Sequence, residues 1–257
     1  MEVPDEKITL EHPCIYCNEN IAADAAYCNY CGEAQAALTA ADPQKKQKRL
    51  TSLAIFFGVH LIICLISNFT KYTQGLVPLL IVDAVLSIFT LVYILLYWNE
   101  LKKLFRWRGL TFAKAISYAF TAIIAAIVVN YAVKWLNKTI FDTESYYYSA
   151  FSHLKYAKLV TVLTVALQPA IFEELAFRGV LQEGLNKITD SRQAILISAF
   201  LFTLLHMSFI SIFWLMPFAI WLGYIRMKEG TIWYGMLIHL CFNTTACLLE
   251  FFELNLF

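Results

Sequence analysis

Six side chains that carry charge or donate strong hydrogen bonds interrupt stretches that are otherwise apolar. Glu173, Glu174 and Arg178 fall in one stretch, His206 in the next, and His239 and Asn243 in the last. Ionisable groups in such runs are costly and usually mark function. A carboxylate can take a proton from water and an imidazole can help hold that water, while an imidazole and an amide can donate to a developing oxyanion. Glu174 and Arg178 stand four apart, so they share a helical face and can neutralise each other. Glu173 lies about 100° round the helix from Glu174 and is free to point elsewhere. His239 and Asn243 share the same i,i+4 spacing and can project toward one point. The residues alone leave two further readings open. Glu173, Glu174 and Arg178 could form a structural ion-pair cluster, and a carboxylate with two imidazoles could bind Zn2+ and activate a metal-bound water. The usual HExxH pair is absent.

A second constellation lies near the N-terminus. Cys14-x2-Cys17 and Cys28-x2-Cys31 are separated by ten residues, and Gly32 follows the second pair. Four thiolates in two such knuckles supply the closed tetrahedral shell of a structural Zn2+ site. A head this short buries too little apolar surface to fold alone, so metal binding would supply much of its stability. The stretch CIYCNENIAADAAYCNYCG also resembles the small zinc-ribbon modules at the N-termini of many bacterial membrane proteins. Disulfides or a redox CxxC are the alternatives, and a cytosolic location disfavours stable disulfides. Cys64, Cys241 and Cys247 read as small apolar fillers, His60 as a hydrogen-bonded packing residue, and Asp83 as unassigned.

These groups must be positioned by membrane helices. The 257 residues are 60% hydrophobic and 15% charged, against about half apolar and a quarter charged in a soluble domain. A net charge of +1 argues against nucleic acid as a partner. The expected division is a zinc ribbon over 1–40, a basic linker over 41–50 (Lys45, Lys46, Lys48, Arg49), and a transmembrane domain over 51–257. No cleavable signal peptide is visible, so the first span is expected to act as its own anchor. About 20 apolar residues cross the bilayer. Thr51–Phe69, Leu76–Trp98, Ala113–Trp135, Leu159–Gly184 and Thr231–Leu249 meet that length. The uncharged run between Arg192 and Arg226 is too long for one span and predicts two helices with a break near Ser208–Ser211. The fold class is therefore an all-α polytopic membrane protein of about seven, or eight, transmembrane helices with a small four-cysteine zinc-ribbon head.

Twelve basic residues flank one set of span ends, among them Lys102, Lys103, Arg106, Arg108, Lys187, Arg192, Arg226 and Lys228, against five at the other: Lys71, Lys134, Lys138, Lys155 and Lys158. The positive-inside rule places the first set and the head in the cytoplasm, and the Tyr146–Tyr148 loop and the C-terminus outside. Counted from the cytosolic ends, Glu173, His206 and His239 then lie roughly 13–23 Å deep at ~1.5 Å per residue. They can converge in one plane.

Three motifs occur in order: EExxFRG as Glu173, Glu174, Phe177, Arg178 and Gly179; FxxxH as Phe202 and His206; and HxxxN as His239 and Asn243. With them the segment Leu159–Leu249 resembles the CPBP family, which includes type II CAAX prenyl endopeptidases and bacteriocin-processing or immunity proteins. The resemblance implies an intramembrane endopeptidase of a bacterial plasma membrane acting on a membrane-associated peptide, prenylated or leader-bearing. It implies Glu173 and His206 as the groups that activate water, His239 and Asn243 as the oxyanion donors, and Glu174–Arg178 as supporting electrostatics. It leans toward a metal-free glutamate mechanism, with zinc confined to Cys14, Cys17, Cys28 and Cys31 and with lipid and peptide as partners. Two other classes fit intramembrane Glu and His: a proton-coupled transporter, for which no inverted repeat is evident, and a non-catalytic immunity or scaffold protein.

Overall fold

A computed structural model describes residues 11–14, 16–22, 28, 30, 31, 43–69, 75–107, 109–141 and 146–254. Gly32, Lys71 and Arg108 lie outside them, as does much of the 1–40 head. Within the head, strands β1 (Glu11–Pro13) and β2 (Asn20–Ala22) pair antiparallel, with His12 opposite Ile21.

Seven helices of 15 residues or more follow among the described residues: α1 Pro43–Phe69, α2 Leu76–Leu96, α3 Phe112–Leu136, α4 Ala157–Asn186, α5 Ser191–Leu205, α6 Phe209–Glu229 and α7 Trp233–Glu253. Several of their starts follow from side-chain caps. Thr111 accepts from the Lys114 amide, Asp190 from Gln193 and Ser208 from Ser211, each satisfying a backbone donor the helix cannot. Gly230 ends α6 with φ 63, where a residue with Cβ would be strained. The basic run expected as a linker is helical from Pro43 and continuous with the first span.

The protein is an integral membrane protein built of helices. Among the described residues, five helices (α1, α2, α3, α4 and α7) are long and apolar enough to cross a membrane. With α5 and α6 these make seven helices, and the all-α membrane fold that the sequence predicts is the one observed. Helix α5 has 15 residues, only about 22 Å of helix. It stops short because the chain turns at His206–Ser208, where Met207 takes φ 48, a conformation rare outside glycine. The break falls slightly before the Ser208–Ser211 position that the sequence predicts.

Ion pairs bind the two ends of the bundle. At one end Glu183 of α4 meets Arg226 of α6, Lys103 at 3.3 Å and Lys187 at 3.6 Å, while Arg49 meets Glu100. Basic residues that the sequence assigned to one side do gather there. At the other, Lys134 meets Glu253, and the Glu250 carboxylate accepts from the amides of Tyr147 (3.0 Å) and Tyr148 (2.6 Å). Between them α4 and α6 run parallel in fixed register. Arg178 donates to the Ala219 carbonyl at 3.0 Å, Gln182 to Gly223 at 3.0 Å, and Asn186 to the Met227 sulfur at 3.6 Å. These donors recur every four residues, one stripe of α4.

Candidate active site

Helix α4 is not a uniform α-helix. Val162–Leu167 and Leu175–Leu181 are π-helical, and Gln168–Glu174 between them is α. Such π segments often mark functional positions. Here Pro169 gives a cause. In an α-helix the Val165 carbonyl would accept from the amide of residue 169, but proline has none. Asn243 supplies the missing donor from α7, with Nδ2 2.9 Å from that carbonyl.

Glu173 and Glu174 close the short α segment and diverge. Glu174 is fully buried, with its Oε1 3.0 Å from Arg178 Nη1 and 3.0 Å from His239 Nδ1. Arg178 is buried as well, and its guanidinium lies 4.6 Å above the Phe202 ring, a cation–π contact. Glu173 is 33% exposed and its Oε2 lies 3.8 Å from His239 Nε2. One imidazole therefore spans two adjacent carboxylates with its two nitrogens. Gly235 lets α7 approach this closely: a Cβ there would stand 2.8 Å from Glu174 Oε2.

Glu173 opens onto a cavity of about 220 Å³, which His206, Phe202, Phe172 and Ala176 also line. His206 caps the end of α5, and its Nδ1 is 3.0 Å from the Phe202 carbonyl. A carbonyl can only accept, so Nδ1 carries the proton and Nε2 keeps a lone pair. The bundle thus brings Glu173, His206 and His239 together and fixes His239 through Glu174 and Arg178. Asn243 is one turn from His239, with one amide hydrogen engaged at Val165.

The opposite wall comes from α1 and α2: His60, Cys64, Asp83, Ser87 and Thr90. The sequence reading did not foresee this wall. His60 is hydrogen-bonded, as expected of a packing residue, to the Phe56 carbonyl at 2.9 Å and Thr90 Oγ1 at 3.3 Å, yet it also lines the cavity. Cys64 lines it too. The polar stripe Asp83, Ser87, Thr90 on an otherwise apolar helix was the available signal, since i, i+4 and i+7 share a face.

In the head, the Cys14 and Cys31 sulfurs are 3.7 Å apart and those of Cys17 and Cys28 3.5 Å. Tetrahedral Zn–S bonds of ~2.3 Å require sulfurs about 3.8 Å apart, and a disulfide about 2.05 Å. The four therefore fit a metal ion. Amides of Tyr16 and Cys17 point at the Cys14 sulfur, and those of Tyr30 and Cys31 at Cys28. Burial opposes the Cys28 thiolate, but the Cys31 and Tyr30 amides and the neighbouring thiols bring its pKa down to about 6. Among the described residues this is the one group of three or more His, Cys, Asp or Glu whose donor atoms all lie within 4.8 Å of each other.

Residues 155–245 match the family model described as Type II CAAX prenyl endopeptidase Rce1-like. The matched segment contains Glu173, Glu174, Arg178, His206, His239 and Asn243. This part of the chain is thus similar to type II CAAX prenyl endopeptidases, and a four-cysteine head that fits a zinc ribbon precedes it. Searches of curated proteins and of solved structures gave no match.

Proposed function

We propose that the protein is an intramembrane endopeptidase that hydrolyses a peptide bond in a membrane-associated substrate, prenylated or leader-bearing. The observation that carries this reading is the shared cavity of Glu173 and His206, with His239 3.8 Å from the Glu173 carboxylate. A water between Glu173 and His206 Nε2 gives its proton to the Glu173 carboxylate as its oxygen attacks the peptide carbonyl. Glu174 accepts from His239 Nδ1, so His239 offers an Nε2–H to the oxyanion only as an imidazolium. Asn243 adds its second amide hydrogen. Glu173 then returns the proton to the departing amine, so the reaction consumes water alone.

We read the site as metal-free, with Zn2+ held by Cys14, Cys17, Cys28 and Cys31 as a structural ion. On this reading the head (1–40) and basic segment (41–50) face the cytoplasm of a bacterial cell, and 51–257 sits in the plasma membrane. The test is cleavage of internally quenched peptides, one set farnesylated and one with an N-terminal apolar anchor, by the full chain in proteoliposomes. Glu173→Gln and His206→Ala are expected to lower kcat by at least ~10²-fold with thermal stability retained. Full activity in either variant refutes the assignment. pH-driven flux without a peptide product would identify a transporter instead.

A further inference from the structure

Among the described residues, the carboxylates of the membrane body, with one exception besides Glu173, have partners built into the protein. Glu174 has Arg178 and His239, Glu183 has Arg226, Glu229 has Lys114, and Glu250 has two backbone amides. The exception is Asp83. It sits in the interior of α2 and lines the same cavity as Glu173 and His206. Among the described residues no hydrogen bond or ion pair reaches it. Its polar neighbours are occupied with each other: Gln168 donates to Ser87 at 3.3 Å, and His60 pairs with Thr90 at 3.3 Å. Neither lysine nor arginine lines the cavity. Intramembrane carboxylates that face a cavity mark substrate or ion paths, and a cationic group entering this cavity would supply the partner that Asp83 lacks.

Helix register says where that charge would lie. Ser87 of α2 is level with Gln168 of α4, and Ile94 is level with Gly179, whose Cβ would stand 3.5 Å from it. The two helices therefore run parallel. Asp83 is four residues before Ser87, and Glu173 five residues after Gln168. At ~1.5 Å per residue the Ser87–Gln168 contact puts them about 13 Å apart along the axis, and the Ile94–Gly179 contact about 8 Å. An extended peptide covers such a distance in about two to four residues at ~3.3 Å each.

We propose that Asp83 is a specificity-determining residue that receives a cationic side chain of the substrate two to four residues from the scissile bond. This rests on the endopeptidase reading, and it adds a preference that the segment matched to the family does not contain, because Asp83 lies outside residues 155–245.

The test uses the anchored, quenched peptides with a single lysine moved through positions one to five on each side of the cleaved bond. Each is compared with the same peptide carrying norleucine. For the wild type, kcat/KM for lysine is expected to exceed norleucine by at least ~10-fold at a position two to four residues away on one side. Asp83→Asn and Asp83→Ser should each bring that ratio to about one. Both probes are read on one preparation, so partial misfolding cancels. The proposal is overturned if norleucine equals lysine at every position, or if the preference survives in both variants. Should the wild type cleave neither probe, the endopeptidase reading fails. Fluorescence anisotropy of the lysine and norleucine peptides on Glu173→Gln protein then decides separately: tighter lysine binding abolished by Asp83→Asn upholds the role of Asp83, and equal binding removes it.

Discussion

If Asn243 supplies the donor that Pro169 withholds from the Val165 carbonyl, the two residues are energetically coupled although they are far apart in sequence. Asn243→Ala removes the 2.9 Å bond and leaves a carbonyl without its partner in an apolar bundle, at a cost of about 1–3 kcal/mol. In a Pro169→Ala background, residue 169 has an N–H that can close the α-helical bond to the same oxygen. There Asn243→Ala should cost less than about 1 kcal/mol, which gives a coupling of about 1–2 kcal/mol in a double-mutant cycle. The assay is unfolding of the four proteins in mixed detergent–SDS micelles, followed by tryptophan fluorescence. An Asn243→Ala cost that is the same in both backgrounds would refute the argument. The prediction concerns stability, so it stands apart from any part Asn243 takes in catalysis.

Other consequences are simpler. Glu174→Gln replaces the carboxylate that accepts from His239 Nδ1 and pairs with Arg178, and should lower kcat of peptide cleavage about 10²-fold with little change in KM, in line with loss of transition-state stabilisation. Gly235→Ala places a methyl group 2.8 Å from Glu174 Oε2, and should lower thermal stability by about 1–3 kcal/mol and activity with it; activity equal to wild type would show that α7 gives way freely. Metal analysis should find one zinc per chain, lost in Cys14→Ser while cleavage by the membrane domain continues; a second, tightly held zinc would favour a metal-activated water. Glu250→Gln weakens the two amide bonds that hold Tyr147 and Tyr148, and should speed trypsin cleavage at Lys155, read by mass spectrometry.

Much of the site was legible because intramembrane charge is so costly. Glu173, Glu174, Arg178, His206 and His239 stand out in apolar runs, and their i,i+4 spacings gave the Glu174–Arg178 pair correctly. The direct bond from Glu174 to His239 was not legible, because spacing within each helix says nothing of rotation between helices. Nor was the shortness of α5, which depends on a left-handed Met207 that no residue-type preference announces. The wall made by His60, Cys64 and Asp83 escaped for a related reason. It faces α4 only across a long stretch of intervening sequence, and the Asp83, Ser87, Thr90 stripe of α2 says which residues share a face but not what that face meets. Pro169 was plain to see, but its partner could be found only once α7 lay against α4.

The Glu183 cluster has a consequence for biogenesis. Helix α4 carries Glu173, Glu174 and Glu183 against a single internal arginine, which makes it a poor candidate to enter lipid alone. When it leaves the ribosome Lys103 has already been made, but Arg226 and His239 lie 43 and 65 residues downstream of their Glu183 and Glu174 partners. The helix that bears Glu173 is then expected to wait, at the translocon or the membrane surface, until α6 and α7 arrive. Truncation before Arg226 should therefore leave α4 uninserted, and the cavity shared by Glu173 and His206 would form only as the last event of assembly.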